Sequence, residues 1–200
     1  MEQIDRAISI LKSPLTELTK VKSEGISKND IIKQYIAILA LIPAIAYIIG
    51  MGIVGASMGM FGSFKIPIGT AVVGGILMYI LSIVNVYVIG IVINALAPSF
   101  ASKQDENQAM KLAAYSATAG LVGGIFTIIP LLGVIGLLFS LYGLYILYLG
   151  IPVLMETPSD KALGYTIVII VVYFIIATIT AQVMWSMSPA PGMMGYRQWY

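Results

Sequence analysis

Long apolar blocks alternate with short polar segments along the whole chain. No Asp, Glu, Lys or Arg occurs in four intervals, residues 34–64, 66–102, 112–155 and 162–196. A hydrocarbon core about 30 Å thick is crossed by roughly 20 helical residues, so each interval can hold at least one membrane span. The pattern predicts an integral membrane protein.

The third interval decides how many spans there are. Residues 112–155 would make roughly 66 Å of helix, about twice the thickness of the hydrocarbon core, so this interval is predicted to be a helical hairpin. Its break falls at residues 129–133, where Pro130 and Gly133 are typical turn residues. We therefore predict an all-α protein with a membrane domain over residues 30–187, whose five transmembrane helices lie at about 30–58, 68–97, 112–129, 133–155 and 162–187.

Residues 1–29 are predicted to be a cytoplasmic amphipathic segment. Apolar side chains follow one another there at spacings of three and four, which is one stripe of a helix. The stripe consists of Ile4, Ile8, Leu11, Leu15 and Leu18. Ser13-Pro14 interrupts it, so two short helices or one kinked helix are expected. This amphipathic helix either lies along the membrane surface or packs against the ends of the spans, and both arrangements bury the same face.

Two segments have the composition of helix starts. Residues 27–30 resemble a capping box that opens the first span, with Ser27 as the cap. Residues 157–160 predict the start of the fifth, with Thr157 as the cap, Pro158 at the first position and Asp160 at the third.

The distribution of Lys and Arg predicts the orientation. With five spans, Lys65 and Arg197 lie on one side and the other basic residues lie on the opposite side. Because basic residues accumulate on the cytoplasmic side, we predict a multi-pass protein of the cell membrane with a cytoplasmic amino terminus. Residues 188–200 would then form an extracytoplasmic tail.

Composition excludes several kinds of chemistry. The chain has no Cys and no His, so it lacks the usual ligands of zinc, haem and iron–sulfur clusters and the usual general base. No metal or cofactor is predicted, and a net charge of +2 does not indicate nucleic acid as a partner. Four acids, Asp105, Glu106, Glu156 and Asp160, are candidates for catalysis, but their spacing supports no acid–base pair. We predict that the protein is not an enzyme.

Within the apolar intervals, the spans contain no charged side chain, which argues against a proton pump, a voltage sensor and a carboxylate-lined cation channel. A pore lined by neutral groups is compatible with such spans. Small residues recur at four-residue spacing, as in Ser116, Gly120 and Gly124. This spacing favours tight helix packing within one subunit over a dimer face.

A candidate intramembrane polar network consists of Asn85, Tyr115, Tyr142, Tyr145 and Tyr148. These side chains could line a polar cavity, although phenols that bond to neighbouring backbones would give the same pattern. Methionines are concentrated toward the predicted outer side, and thioethers bind copper(I), but apolar packing is the favoured interpretation. They are Met51, Met58, Met60, Met184, Met187, Met193 and Met194.

Residues 141–165, LYGLYILYLGIPVLMETPSDKALGY, resemble the corresponding region of the Yip-domain family of Ypt/Rab-interacting membrane proteins, most closely its prokaryotic members. The similarity extends to residues 111–116 and to Ser13-Pro14. Its specific positions are Tyr115, Tyr145, Tyr148, Gly150, Pro152, Pro158, Lys161 and Gly164. The resemblance implies five spans and a cytoplasmic amino terminus.

Eukaryotic members of that family act in traffic between endoplasmic reticulum and Golgi and bind Rab-type GTPases and other membrane proteins. They carry an Asp-Leu-Tyr-Gly-Pro element that this chain lacks. Its absence argues against a Rab-type GTPase as the partner here.

The resemblance and the sequence together predict a non-enzymatic membrane scaffold or adaptor. Its partners would be the lipid bilayer and membrane proteins or a second copy of the chain, and it could also shape the membrane through residues 2–22 and the polar loop 99–111. A channel or carrier for a small neutral solute and an accessory subunit of a larger membrane complex are the alternatives.

Overall fold

The computed structural model describes residues 2–57, 63–129 and 132–186. Two short helices come first, α1 at Glu2–Lys12 and α2 at Pro14–Lys22. Five helical segments that are long and apolar enough to cross a membrane follow. They are span 1 at Lys28–Val54, span 2 at Ile68–Phe100, span 3 at Glu106–Ile128, span 4 at Gly133–Leu154 and span 5 at Ser159–Ser186. The predicted all-α fold with five membrane-capable helices is confirmed.

The connection between spans 1 and 2 contains a short antiparallel pair, β1 at Ala56–Ser57 and β2 at Ser63–Phe64. Span 1 ends just before it, at Val54, because Gly55 adopts a φ of 87°, which few other residues tolerate. The predicted span extended to residue 58, which lies outside the described residues.

Span 3 begins at Glu106, six residues before the apolar block that predicted it at 112. The reason is the cap: the Asp105 carboxylate accepts hydrogen bonds from the backbone N–H groups of Asn107 at 2.9 Å and Gln108 at 3.0 Å. These bonds satisfy free donors of the first turn, so a helix starts on polar residues before the apolar ones begin.

Span 1 is irregular. It combines short α-helical pieces with two wider π-helical turns, at Ile31–Ile36 and Ile48–Val54, and Pro43 in its middle has no N–H to donate. Its start follows the prediction, since the Ser27 hydroxyl oxygen accepts from the Asp30 N–H at 3.2 Å.

Spans 3 and 4 form a close hairpin. A Cβ atom added to Gly143 would lie 2.5 Å from the Ser116 carbonyl oxygen, and one added to Gly136 would lie 3.1 Å from the Gly123 carbonyl oxygen. The two backbones therefore touch where only a hydrogen fits. The predicted packing of small residues within one subunit is confirmed for this pair of helices.

The start of span 5 corrects one prediction. Thr157 does not cap it: the Thr157 hydroxyl donates to the Ile151 carbonyl at 3.2 Å and shares a hydrogen bond with Ser102 at 2.8 Å. Thr157 is buried against the end of span 4, so its hydroxyl bonds to a carbonyl there. The Pro158 carbonyl instead accepts hydrogen bonds from the N–H groups of Lys161 and Ala162, near the start of span 5.

The core lies mainly among α1, α2 and spans 1 to 4. Span 5 packs on spans 2 and 4, and its buried side chains end early. They are Ala162, Tyr165, Thr166 and Ile169. We call the end of the bundle that carries residues 23–27, 101–105 and 155–158 the polar end.

Candidate functional site

Helices α1 and α2 fold back on each other at the polar end. The Arg6 guanidinium contacts the Glu17 carboxylate at 3.3 Å and the Glu24 carboxylate at 2.8 Å. In one continuous helix Arg6 and Glu17 would be separated by roughly 16 Å along the axis, so these contacts require a reversal near Ser13-Pro14. The two helices therefore form a helical hairpin, here called the N-terminal hairpin, residues 2–22.

Arg6 holds the two arms of this hairpin together electrostatically. Burial disfavours the charged guanidinium, but the hydrogen bond to Glu24 and the negative charges of Glu24 and Glu17 outweigh it, so the pKa of Arg6 is raised. The guanidinium is therefore charged at neutral pH.

Lys111 of span 3 fixes the end of α2. Only 1% of its surface is exposed, and its Nζ atom donates hydrogen bonds to the carbonyl oxygens of Val21 at 2.8 Å and Glu24 at 2.6 Å. The last carbonyls of a helix have no partners within it and carry partial negative charge, so an ammonium group satisfies both needs. A buried lysine thus attaches the hairpin to the bundle.

The hairpin lies along span 4. Lys22 pairs with Glu156 at 2.9 Å just beyond span 4, Leu18 packs beside Gly150, and the Tyr142 hydroxyl donates to the Leu11 carbonyl at 2.9 Å. From Gly150 to Tyr142 the helix rises about 12 Å, so the hairpin turn reaches well up the side of the bundle.

The predicted apolar stripe is divided between two faces of the hairpin. Leu18 is fully buried against span 4 and Leu11 is half-buried, whereas Ile4, Ile8 and Leu15 are 58%, 43% and 52% exposed. The inner face is completed by three residues outside the predicted stripe, namely Ala7, Ile10 and Val21. The hairpin is thus apolar on both sides, and its outer side has no cover within the described chain.

A family model described as the Yip1 domain matches residues 8–181, which include most of the hairpin and nearly all of the five spans. The chain belongs to the Yip1-domain family. No curated protein and no solved structure matches it significantly. The multi-pass membrane location follows from the family and the five apolar helices together.

Two family-like positions of this Yip1-domain protein have packing roles at the hairpin. Gly150 is packed closely by Leu112 and Leu18, and a Cβ atom added to it would collide with the Leu112 side chain. Pro152 occupies the last turn of span 4, where its missing N–H leaves the Tyr148 carbonyl without its usual partner. Pro158, Lys161 and Gly164 lie exposed around the start of span 5.

The structure does not bring the five residues of the predicted polar network together. Asn85 exchanges hydrogen bonds with Thr180 of span 5 at 3.1 and 3.2 Å. Tyr115 is buried edge-on against Tyr35, with ring centroids 5.2 Å apart, and the Tyr35 hydroxyl bonds to Thr118 at 2.8 Å.

Two of the three tyrosines of span 4 lie together, since the ring centroids of Tyr142 and Tyr145 are 5.9 Å apart. Tyr142 reaches the hairpin, while Tyr145 and Tyr148 are exposed on the outer surface. Each step of three residues turns a helix about 60° short of a full revolution, so three tyrosines at this spacing are distributed over a third of its circumference.

The described part of the chain includes a polar cavity and an apolar one. One of about 500 Å³ lies under the hairpin and is bordered by polar side chains that include Arg6, Gln34 and Tyr115. The other, of about 320 Å³, lies within the bundle and is bordered mainly by small and apolar residues of spans 2 to 5.

Three of the four candidate acids have structural partners at the polar end, and the fourth, Asp160, is exposed in the first turn of span 5. Asp105 caps span 3, Glu106 pairs with Lys28, and Glu156 lies between Lys22 and Lys103.

Among the described residues no group of His, Cys, Asp or Glu could hold a metal ion. Of the methionines suggested for copper(I), only Met51 and Met184 are described; Met58, Met60, Met187, Met193 and Met194 lie outside the described residues.

Sequence reasoning missed the importance of Arg6 and Lys111. Both contributed to the predicted orientation through their charge, and neither was predicted to hold the N-terminal segment. A signal was present for Lys111, which falls directly before a charge-free interval and inside a motif that resembles the family. Because span 3 begins at Glu106, Lys111 lies inside the helix and can face the bundle. The apolar block, which begins at residue 112, does not indicate this earlier start.

Proposed function

We propose that this Yip1-domain protein is a non-enzymatic scaffold or adaptor of the cell membrane, with its polar end in the cytoplasm. The outer face of the N-terminal hairpin, Ile4, Ile8 and Leu15, would be its docking surface for a membrane-protein partner. The family and the five spans support the membrane setting.

The observation that carries this proposal is the two-faced hairpin. Its inner face and Lys111 attach it firmly to the bundle, so the exposed outer side chains are not needed for its own folding. Apolar side chains presented beside a rigid surface are a common feature of interaction sites. The lateral position against span 4 would bring them next to the apolar segment of another membrane protein.

A double variant, Ile8→Asp with Leu15→Asp, tests the docking surface. The charges should prevent partner capture, because burying an unpaired carboxylate in an apolar interface is costly. The control is Thr16→Asp, which adds one of these two negative charges at an exposed position on α2. Partners that co-purify in mild detergent from native membranes would be quantified for all three proteins.

The proposal requires that the double variant loses most of a partner that wild type and Thr16→Asp retain, while all three insert equally. Equal recovery of the same partners from all three proteins would contradict it. An assay of membrane deformation on vesicles gives a second readout for the same variants, since docking of the hairpin on lipid alone would change vesicle shape without a protein partner.

The two alternatives make different predictions. A carrier for a small neutral solute would give solute flux into proteoliposomes, whereas a scaffold gives none. An accessory subunit would be recovered with a fixed stoichiometry of other subunits that does not depend on Ile8 and Leu15.

A further inference from the structure

We propose that the cavity within the bundle binds one hydrocarbon chain of a membrane lipid. The cavity has a volume of about 320 Å³ and is bordered by residues of every span. This volume is near the lower end of the range typical of ligand sites, roughly 300–1,000 Å³. The proposal is independent of the adaptor role, since the cavity does not include the N-terminal hairpin.

The wall of the cavity offers few free polar groups. The Ser82 hydroxyl donates to the Met78 carbonyl at 2.7 Å and the Ser140 hydroxyl to the Gly136 carbonyl at 3.1 Å. The hydroxyls of two further wall residues, Ser116 and Thr127, are likewise bonded to carbonyls of their own helix.

Asn85, the most polar side chain on the wall, is paired with Thr180. Among the described residues, no charged side chain borders the cavity. A polar solute would therefore find few unused donors, whereas a hydrocarbon chain needs none.

Gly120 shows that the space is not simply a by-product of close helix crossing. A Cβ atom there would meet only Ser140, with its Oγ atom at 3.5 Å, which is an ordinary contact. Gly143 follows Ser140 by three residues on span 4, and a Cβ atom added there would collide with the Ser116 backbone of span 3. Glycine is thus required by packing at position 143, whereas position 120, which borders the cavity, has room for a methyl group.

The surroundings favour a lipid chain over other occupants. A void in a bilayer loses the dispersion contacts that its lining atoms could make, and acyl chains are the surrounding solvent. Water would need two to four polar partners, and four hydroxyl donors of this wall are already bonded to carbonyls. One turn of a helix about 10 Å across occupies roughly 400 Å³, so a helix of a second copy would not fit.

Access from the bilayer is available beside span 5. Among its described residues, span 5 buries no side chain after Ile169, although Tyr173, Ile176 and Ala177 border the cavity. The second half of span 5 is therefore only loosely covered, and a chain from the adjacent lipid can enter there.

The test uses phosphatidylcholine with a photoreactive diazirine on one acyl chain, in proteoliposomes of the full chain. Adducts are located by mass spectrometry of peptides after illumination. We expect adducts on cavity residues such as Met78 and Leu147, in addition to those on lipid-facing Ile167 and Phe174. Gly120→Leu, which fills the cavity, should reduce the cavity adducts at least tenfold and leave the lipid-facing adducts unchanged.

Two further variants guard against misfolding. Gly120→Ala adds only the tolerated Cβ atom and should keep the cavity adducts, and Ala117→Leu fills the same space from another position and should remove them. Absence of cavity adducts in the wild type, or their persistence at the wild-type level in both filled variants, would overturn the proposal. A filled variant whose lipid-facing adducts also change is misfolded, and the other filled variant then decides.

Discussion

The Tyr142 hydroxyl of span 4 donates a hydrogen bond to the backbone carbonyl of Leu11 at 2.9 Å. This bond joins the tip of the N-terminal hairpin to the middle of a membrane span. Leu11 lies at the end of α1, where the carbonyls have no partners within the helix. Tyr142 thus satisfies the free end of α1 in the same way that Lys111 satisfies the free end of α2.

Removing the Tyr142 hydroxyl should loosen the hairpin tip without changing the bundle. We expect Tyr142→Phe to lower the local stability of residues 9–15 by about 0.5–1.5 kcal/mol, the usual net value of one hydrogen bond. Hydrogen exchange of these amides, followed by mass spectrometry in nanodiscs, would report the change. Tyr145→Phe is the control, because Tyr145 is exposed on the same helix. Equal exchange in wild type and Tyr142→Phe would contradict the role of this bond.

Lys111→Met should have a larger effect on the same hairpin. It leaves the Glu24 carbonyl buried without a donor and removes one of the donors to the Val21 carbonyl, which keeps the Glu24 N–H at 3.2 Å. Such a loss costs roughly 1–3 kcal/mol. Exchange of amides in residues 14–24 should accelerate roughly 5- to 150-fold, which corresponds to that free energy.

The control for this change is Lys161→Met, which removes an exposed lysine at the polar end. If both variants exchange alike, Lys111 does not attach the hairpin. If Lys111→Met instead fails to insert at all, the lysine is needed for assembly of the whole bundle rather than for the hairpin.

The hairpin of spans 3 and 4 predicts a difference between two glycine substitutions. Gly143→Ala places a methyl group 2.5 Å from the Ser116 carbonyl oxygen, and backbone on both sides must shift. Such overpacking typically costs about 1–3 kcal/mol. Gly120→Ala on the facing helix makes only an ordinary contact and should be nearly neutral. Thermal unfolding in detergent would rank the stability of the two variants. An equal loss of stability in both would contradict the close contact between the backbones of spans 3 and 4 at Gly143.

The five spans could be predicted from sequence because a helix must contain roughly 20 apolar residues to cross the hydrocarbon core. The length of each charge-free interval can be compared directly with this number. Residues 112–155 illustrate this, since one helix of that length would be about twice as long as the core is thick. The beginning of span 3 was predicted too late because its first turns are polar and depend on the Asp105 cap, which hydropathy does not detect.

The site was less predictable than the fold. The spacing of Ile4, Ile8, Leu11, Leu15 and Leu18 indicated one apolar stripe, and Ser13-Pro14 predicted the break between two short helices that the structure has. It did not indicate that the two helices fold back on each other and divide the stripe between two faces. Which of these residues then face the bundle is decided by contacts with span 4 that are more than 100 residues away in sequence. Spacing within a helix carries no information about such partners.

The proposed orientation can be tested with single cysteines, because the native chain has none. We expect Lys161→Cys to be shielded from a membrane-impermeant maleimide in intact cells and Lys65→Cys to react with it. Both lysines are exposed and near the ends of spans, so accessibility to the reagent should not differ once the membrane is permeabilised. Reaction of Lys161→Cys in intact cells would reverse the proposed orientation.

Glu156 predicts how the stability of the polar end depends on pH. Its hydrogen bond to Lys22, the charge of Lys22 and the more distant charge of Lys103 lower the pKa of the Glu156 carboxyl below its ordinary value of 4.5. A carboxyl with a lowered pKa in the folded state stabilises that state above its unfolded pKa and loses this contribution as the pH falls through its folded pKa.

The melting temperature of wild type should therefore exceed that of Glu156→Gln by a constant amount above about pH 5.5, and the difference should shrink below pH 4.5. Thermal unfolding of both proteins in detergent, from pH 3 to pH 7, measures this directly. Because the pair is exposed, the difference should also decrease with added salt. A difference that is independent of both pH and salt would contradict a role for the charge of Glu156.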